Sequence, residues 1–230
     1  MDFIKETLGD LETLVVPGKP GGGGIILCHG YGANAFDLLP LAGQLKAPAG
    51  THWFFPQAPI TFPIGPDMEG RAWFPLVAQM LERLLAAGQK ITYSEVVPDG
   101  LKEARARLHS MVQATNIPVP RLTLGGFSQG SMLTTDYALR SGERPAGLII
   151  LSGTLICEHE WRPLASSLAG LEFFQTHGTE EPILPYANAR RLEELLRAGG
   201  MTGEFLSFPG GHAIPPVVQK KMSAYLMRNA

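Results

Sequence analysis

Ser128 stands at the centre of Gly126-Phe127-Ser128-Gln129-Gly130, a Gly-x-Ser-x-Gly pattern. The five residues before it are short and apolar enough for a strand, and residues 131–140 carry helical spacing. A serine on such a strand-to-helix turn is held in a strained conformation, with its hydroxyl exposed above a sheet. Glycines two before and two after it let the chain cross itself without Cβ clashes. The chemistry open to that hydroxyl is attack on a carbonyl carbon. The N-terminus of the following helix would aim its N–H groups at the oxyanion that develops.

A serine nucleophile needs a base, and the base needs an acid to orient it. Six histidines are available. In an open parallel sheet, functional residues gather beyond the C-terminal ends of the strands. His52 precedes its strand, His109 falls within a helix, and His159 lies in a polar, solvated loop between two glutamates. His177 follows a strand but runs straight into Gly178-Thr179-Glu180-Glu181-Pro182, where it would shape the turn. His212 follows the last strand, in Phe208-Pro209-Gly210-Gly211-His212, and the paired glycines free its loop to bring an imidazole over the sheet. The turn after His177 offers two adjacent acids, Glu180 and Glu181, of which one would be a solvated charge. An oxyanion hole needs two converging N–H donors: Gln129 follows the nucleophile, and Tyr31 sits in the glycine-rich Cys28-His29-Gly30-Tyr31-Gly32 after the first apolar strand.

Alternating strands and helices must position these residues. A hairpin over 3–8 and 11–16 turns at Gly9-Asp10. Strand signals follow at 25–28, 53–55, 121–125, 148–151, 171–175 and 204–208. Helix signals fall at 36–45, 76–87, 101–114, 131–140, 187–196 and 217–227. Strands apolar on both faces, alternating with amphipathic helices, imply an α/β architecture with a mostly parallel sheet covered on both sides. The proline-rich stretch 56–66 reads as a surface loop rimming a site. No linker composition appears, so residues 1–230 are expected to form a single domain.

Composition narrows the function classes. The net charge of −2 gives no basic footprint for nucleic acid and no polybasic patch for a membrane. No apolar run approaches the ~20 residues of a membrane span, and the N-terminus has no signal-peptide core. Cys28 and Cys157 lie in apolar surroundings and read as buried free thiols of a reducing compartment, so a cytoplasmic protein is expected. No metal-ligand spacing is present.

Seven ordered blocks carry a resemblance: His29-Gly30-Tyr31-Gly32, Pro56-Gln57-Ala58-Pro59, Ala72-Trp73-Phe74, the serine pentapeptide, Leu151-Ser152-Gly153, His177-Gly178 and Gly211-His212. Together they resemble the phospholipase/carboxylesterase family, which includes acyl-protein thioesterases and bacterial carboxylesterases. The resemblance covers nearly the whole chain. It implies an α/β-hydrolase fold without a large cap domain, a Ser–acid–His triad and no cofactor. It also implies a small-molecule ester substrate and allows a homodimer. By motif, the nucleophile is Ser128, the base His212 and the oxyanion donors Tyr31 and Gln129. The same resemblance places Trp73 and Phe74 beside the substrate.

Three positions depart from the family pattern. Its triad aspartate, counted from the His-Gly block, falls on Glu181. Its Trp-Phe-Asp is Trp73-Phe74-Pro75, and its His-Gly-Leu-Gly carries Tyr31. The expected activity is hydrolysis of short- to medium-chain esters through an acyl-enzyme. The alternatives are an acyl-protein thioesterase or lysophospholipase acting on long chains, and a non-catalytic binding protein on the same fold.

Overall fold

The computed structural model describes residues 2–66, 68–76, 86 and 92–229. Its main sheet has eight strands: β1 (Ile4–Leu8), β2 (Leu11–Val16), β3 (Gly24–Cys28), β4 (His52–Pro56), β7 (Leu122–Phe127), β8 (Gly147–Leu151), β9 (Glu172–Gly178) and β10 (Thr202–Phe208). Their spatial order is β1-β2-β4-β3-β7-β8-β9-β10. The β1–β2 hairpin joins antiparallel to β4, and every pairing from β4 to β10 is parallel.

The strands alternate between two cores, as a doubly covered sheet requires. Ile26 of β3 and Leu148 and Ile150 of β8 enter one core, which α3 (Leu101–Ala114) and α4 (Gln129–Arg140) cover. Ile25 and Leu27 of β3, with Ile149 and Leu151 of β8, enter the other. That second face is covered by α1 (Ala35–Leu38), α2 (Leu41–Gln44) and α7 (Pro216–Asn229). Each fully buried aliphatic side chain of this kind contributes about 1.5–3 kcal/mol. The remaining helices, α5 (Glu158–Leu164) and α6 (Tyr186–Ala198), flank the end of the sheet nearest β9.

Register sets the site. Cys28 lies opposite Gly126, Phe127 opposite Leu151, Leu151 opposite Thr176, and Phe208 opposite Gly178. The loops after β3, β7, β9 and β10 therefore leave the same edge of the sheet side by side. Those are the loops that carry Tyr31, Ser128, Glu181 and His212.

Three sequence expectations change. The stretch 56–66 is not an irregular loop: β5 (Ile60–Gly65) and β6 (Met68–Ala72) pair there as an antiparallel ribbon. The helix expected over 36–45 is two short helices, because Pro40 cannot donate the hydrogen bond that would join them. His159 is in the first turn of α5 rather than a loop, though its side chain stays solvated as expected. The helix expected over 76–87 lies, apart from Leu76 and Ala86, outside the described residues. Both cysteines are free and buried. Among the described residues no helix is long and apolar enough to cross a membrane.

Candidate active site

Ser128 has φ 53° and ψ −118°, a combination that costs roughly 1–3 kcal/mol for a residue with a side chain. Its backbone is pinned on both sides. Its N–H donates to Leu151 O at 2.8 Å, and its carbonyl accepts from Ser131 N at 3.0 Å and Met132 N at 3.2 Å. A Cβ at Gly126 would run into the Gly130 backbone, and one at Gly130 into the carbonyls of Cys28 and His29. The two glycines of the motif are thus demanded by close approach. At Gly30 the fit is tight rather than closed: an added Cβ would stand 3.2 Å from Phe127 Cδ1 and 3.3 Å from Ser128 Cβ.

The β3 loop beside Ser128 is held by a ring of buried hydrogen bonds. His29 Nδ1 lies 2.8 Å from Gly30 O, and Ala58 N–H donates to His29 Nε2 at 3.1 Å. A carbonyl only accepts and an amide N–H only donates, so the imidazole is neutral with its proton on Nδ1. Burial pushes its pKa down to about 4, in keeping with that assignment. Trp73 Nε1–H donates to His29 O at 2.9 Å. Gln129 clamps the next segment with both ends of its amide: Oε1 accepts from Trp73 N at 2.9 Å and Nε2 donates to Phe74 O at 2.6 Å. Gly32 N–H donates to Arg71 O on β6, which ties the ribbon to the same loop. The N–H groups of Tyr31 and Gln129 have no acceptor among the described residues, which leaves both available as donors.

The loops after β9 and β10 are stitched together by Thr179 N–H to Phe208 O and Glu180 N–H to Gly210 O, both 2.9 Å. This brings His212 Nδ1 to 2.6 Å from Glu181 Oε2. The Glu181 side chain is 0% exposed and that of His212 is 16% exposed. Glu181 Oε1 accepts from Ile183 N at 2.8 Å, so each carboxylate oxygen has a donor. The pairing fixes the His212 proton on Nδ1 and leaves Nε2 basic. Glu180, the other candidate, is exposed and joins the His212 loop only through its backbone N–H, which donates to Gly210 O. The Phe127 ring packs against the imidazole with centroids 4.6 Å apart.

Ser128 and His212 line one cavity of about 270 Å³, with Tyr31 and Gln129 on the same wall. The rest of its lining is apolar or aromatic: Phe74, Leu76, Met132, Leu184, Ile183 and Tyr93. Phe74 lines the cavity, whereas Trp73 does not and braces the β3 loop from behind. Sequence reading missed four wall residues. Met132 was within reach, because it lies one helical turn after Ser128. Leu184 and Ile183 follow Glu181 within three residues, and Tyr93 sits in a distant segment with no local signal. Among the described residues no group of three or more His, Cys, Asp or Glu could hold a metal ion.

The family model of phospholipases and carboxylesterases matches residues 10–229. The chain belongs to the phospholipase/carboxylesterase family. It is an esterase-type hydrolase with an α/β-hydrolase fold. Acyl-protein thioesterase 1 of Cryptococcus neoformans var. neoformans serotype D is 29% identical over 180 residues, spanning 75% of this chain and 71% of that protein. The Eremothecium gossypii protein of the same name is 25% identical over 220 residues, 92% of this chain and 89% of that one. A carboxylesterase structure from Mesorhizobium loti superposes with a TM-score of 0.75 at 18% identity, covering 98% of this chain and 99% of that one. Among the described residues no segment forms a separate cap over the cavity.

Proposed function

We propose that the protein is a serine carboxylesterase acting on short- to medium-chain esters through an acyl-enzyme, with the whole chain folded as one α/β-hydrolase domain. The observation that carries this reading is the Glu181–His212 pair at 2.6 Å sharing a cavity with a serine at a strained elbow. Ser128 Oγ attacks the substrate carbonyl while His212 Nε2 takes its proton. Glu181 holds the tautomer and stabilises the imidazolium. The Tyr31 and Gln129 N–H groups receive the oxyanion. His212 then protonates the leaving alcohol, and water deacylates Ser128 by the reverse transfers. Neither thiol competes as nucleophile: burial pushes the Cys157 pKa up to about 12 and that of Cys28 higher still. Free buried thiols also fit the reducing cytoplasm.

Cavity size supports the chain-length preference. The cavity, at about 270 Å³, falls at the small end of ligand pockets, which run to roughly 1,000 Å³. The second reading is a long-chain acyl-protein thioesterase or lysophospholipase. It is favoured by the names of the relatives and by Ile183, 61% exposed at the cavity wall, which could extend an apolar path outward. Hydrolysis of p-nitrophenyl esters from acetate to palmitate, with Ser128→Ala beside the wild type, separates the two. A peak at or below about ten carbons, abolished in the variant, is the expected result. A peak at palmitate selects the second reading, and full turnover by Ser128→Ala ends both.

A further inference from the structure

His177 is a buried histidine that takes no part in the proton transfers described above. It ends β9, is 0% exposed, and its Nε2 lies 2.9 Å from Leu184 O. Because a carbonyl only accepts, Nε2 carries the proton. Nδ1 is buried and makes no hydrogen bond of good geometry among the described residues, with the Gly153 backbone beside the ring. Burial holds its pKa below the ordinary histidine value. The Tyr186 ring packs edge-on at 6.0 Å, and its own hydroxyl is tied to Ser207 Oγ at 2.6 Å, so the imidazole is seated from the β10 side.

Leu184 is the far end of the turn that carries Glu181. Its N–H and that of Ile183 both point at Glu181 Oε1, at 3.4 and 2.8 Å. Beyond the Glu180 N–H to Gly210 O bond, the outer part of this turn is thinly held: Pro182 and Ile183 are exposed, and Pro182 and Pro185 have no N–H to give. The triad acid here is a glutamate, with one more rotatable bond to fix than the family's aspartate. A strap from β9 to the turn is therefore worth more in this chain.

We propose that His177 is a positioning residue that fixes the Glu181 carboxylate on His212 by holding the Leu184 carbonyl. The inference rests on the serine-hydrolase reading above. Besides His177, the titratable groups near this pair are Glu181 and His212 themselves, Glu180 on the exposed turn, Tyr186 behind the strap, and Tyr31 and Tyr93 across the cavity.

The test compares His177→Gln, whose amide N–H can still reach Leu184 O, with His177→Asn, whose amide is too short. Asn should lower kcat by ~10- to 100-fold with KM unchanged. It should also move the acid limb of kcat/KM to lower pH, because a loosened carboxylate supports the imidazolium less. Gln should restore both. Asn should also slow fluorophosphonate labelling of Ser128, and should weaken the low-field proton signal of His212 Nδ1–H. In a Glu181→Gln background, His177→Asn should add no further loss. The proposal is overturned if Asn and Gln behave alike, if only the melting temperature falls, or if Asn costs as much without the Glu181 carboxylate as with it. A wild type that the fluorophosphonate does not label at Ser128 would instead sink the serine-hydrolase reading. A Ser128 labelled equally fast in wild type and Asn sinks the His177 role alone.

Discussion

The two halves of this site are built differently. On the side of β3 and β7, the Tyr31 loop and the elbow are fixed redundantly. His29 bonds at both nitrogens, Trp73 braces the His29 carbonyl, and Gln129 clamps residues 73 and 74 with both ends of its amide. On the side of β9 and β10, one hydrogen bond orients His212, and its acid sits on a turn that is largely exposed. The first half presents fixed dipoles, which stabilise charge best when they need no rearrangement. In the proposed mechanism the second half carries a proton between substrate groups, and a pair joined by one short bond on a turn can adjust as it does so.

The contrast predicts where substitutions act. The largest effect after loss of the nucleophile belongs to the thinly held side. Glu181→Gln should lower kcat by ~10³-fold or more, since it abolishes the charge that supports the imidazolium and leaves the tautomer unfixed. Glu180→Gln should change kcat less than about twofold, because an exposed charge that does not touch the histidine contributes little. Steady-state kinetics of the two variants checks this, and equal losses would mean that the acid has been misplaced.

On the braced side the losses should be smaller and shared between activity and stability. Gln129→Leu keeps its backbone N–H but orphans Trp73 N–H and Phe74 O. Each buried group left unpaired costs about 1–3 kcal/mol. Turnover should fall by roughly tenfold as the loop loosens. Urea unfolding and kcat measured together would show it. A loss of kcat as deep as that of Glu181→Gln would break the contrast.

The smallest effect is absent at neutral pH and concerns stability alone. His29 is neutral in the fold, with its pKa lowered to about 4 from an ordinary 6.5. As pH falls below 6.5 the unfolded chain takes up this proton before the folded chain does. Stability is therefore present in full above pH 6.5 and is lost progressively down to pH 4, by on the order of 3 kcal/mol. His177, shifted in the same direction, adds to the decline. His29→Gln should unfold more easily at pH 7.5 yet lose less on going to pH 5. Chemical denaturation at the two pH values checks it; parallel losses in both proteins would assign the decline to other groups.

Much of this arrangement was legible in the residues. Apolar strands that bury both faces announced the parallel sheet, and loops that follow strand ends announced where Ser128, His212 and Tyr31 would gather. The choice between Glu180 and Glu181 was open to local reasoning, because neighbouring turn residues point opposite ways and only the stitching of Glu180 N–H to Gly210 O decides which one faces inward. Trp73 was expected at the substrate from its place in the chain, but its indole N–H has a buried partner in His29 O, which only the tertiary structure supplies. The ribbon over 60–72 was hidden by Pro63 and Gly65, which weaken a strand signal but are tolerated at the bulge where the register shifts. Tyr93 and the clamp made by Gln129 span long sequence separations, and no local pattern reports such contacts.

The central claim is that Ser128 is a nucleophile activated by His212. Intact-mass analysis after fluorophosphonate treatment, with peptide mapping and Ser128→Ala alongside, tests it most directly. The account predicts a single adduct located on Ser128, absent from Ser128→Ala and formed far more slowly in Glu181→Gln. No adduct, or an adduct of equal yield in Ser128→Ala, would contradict it.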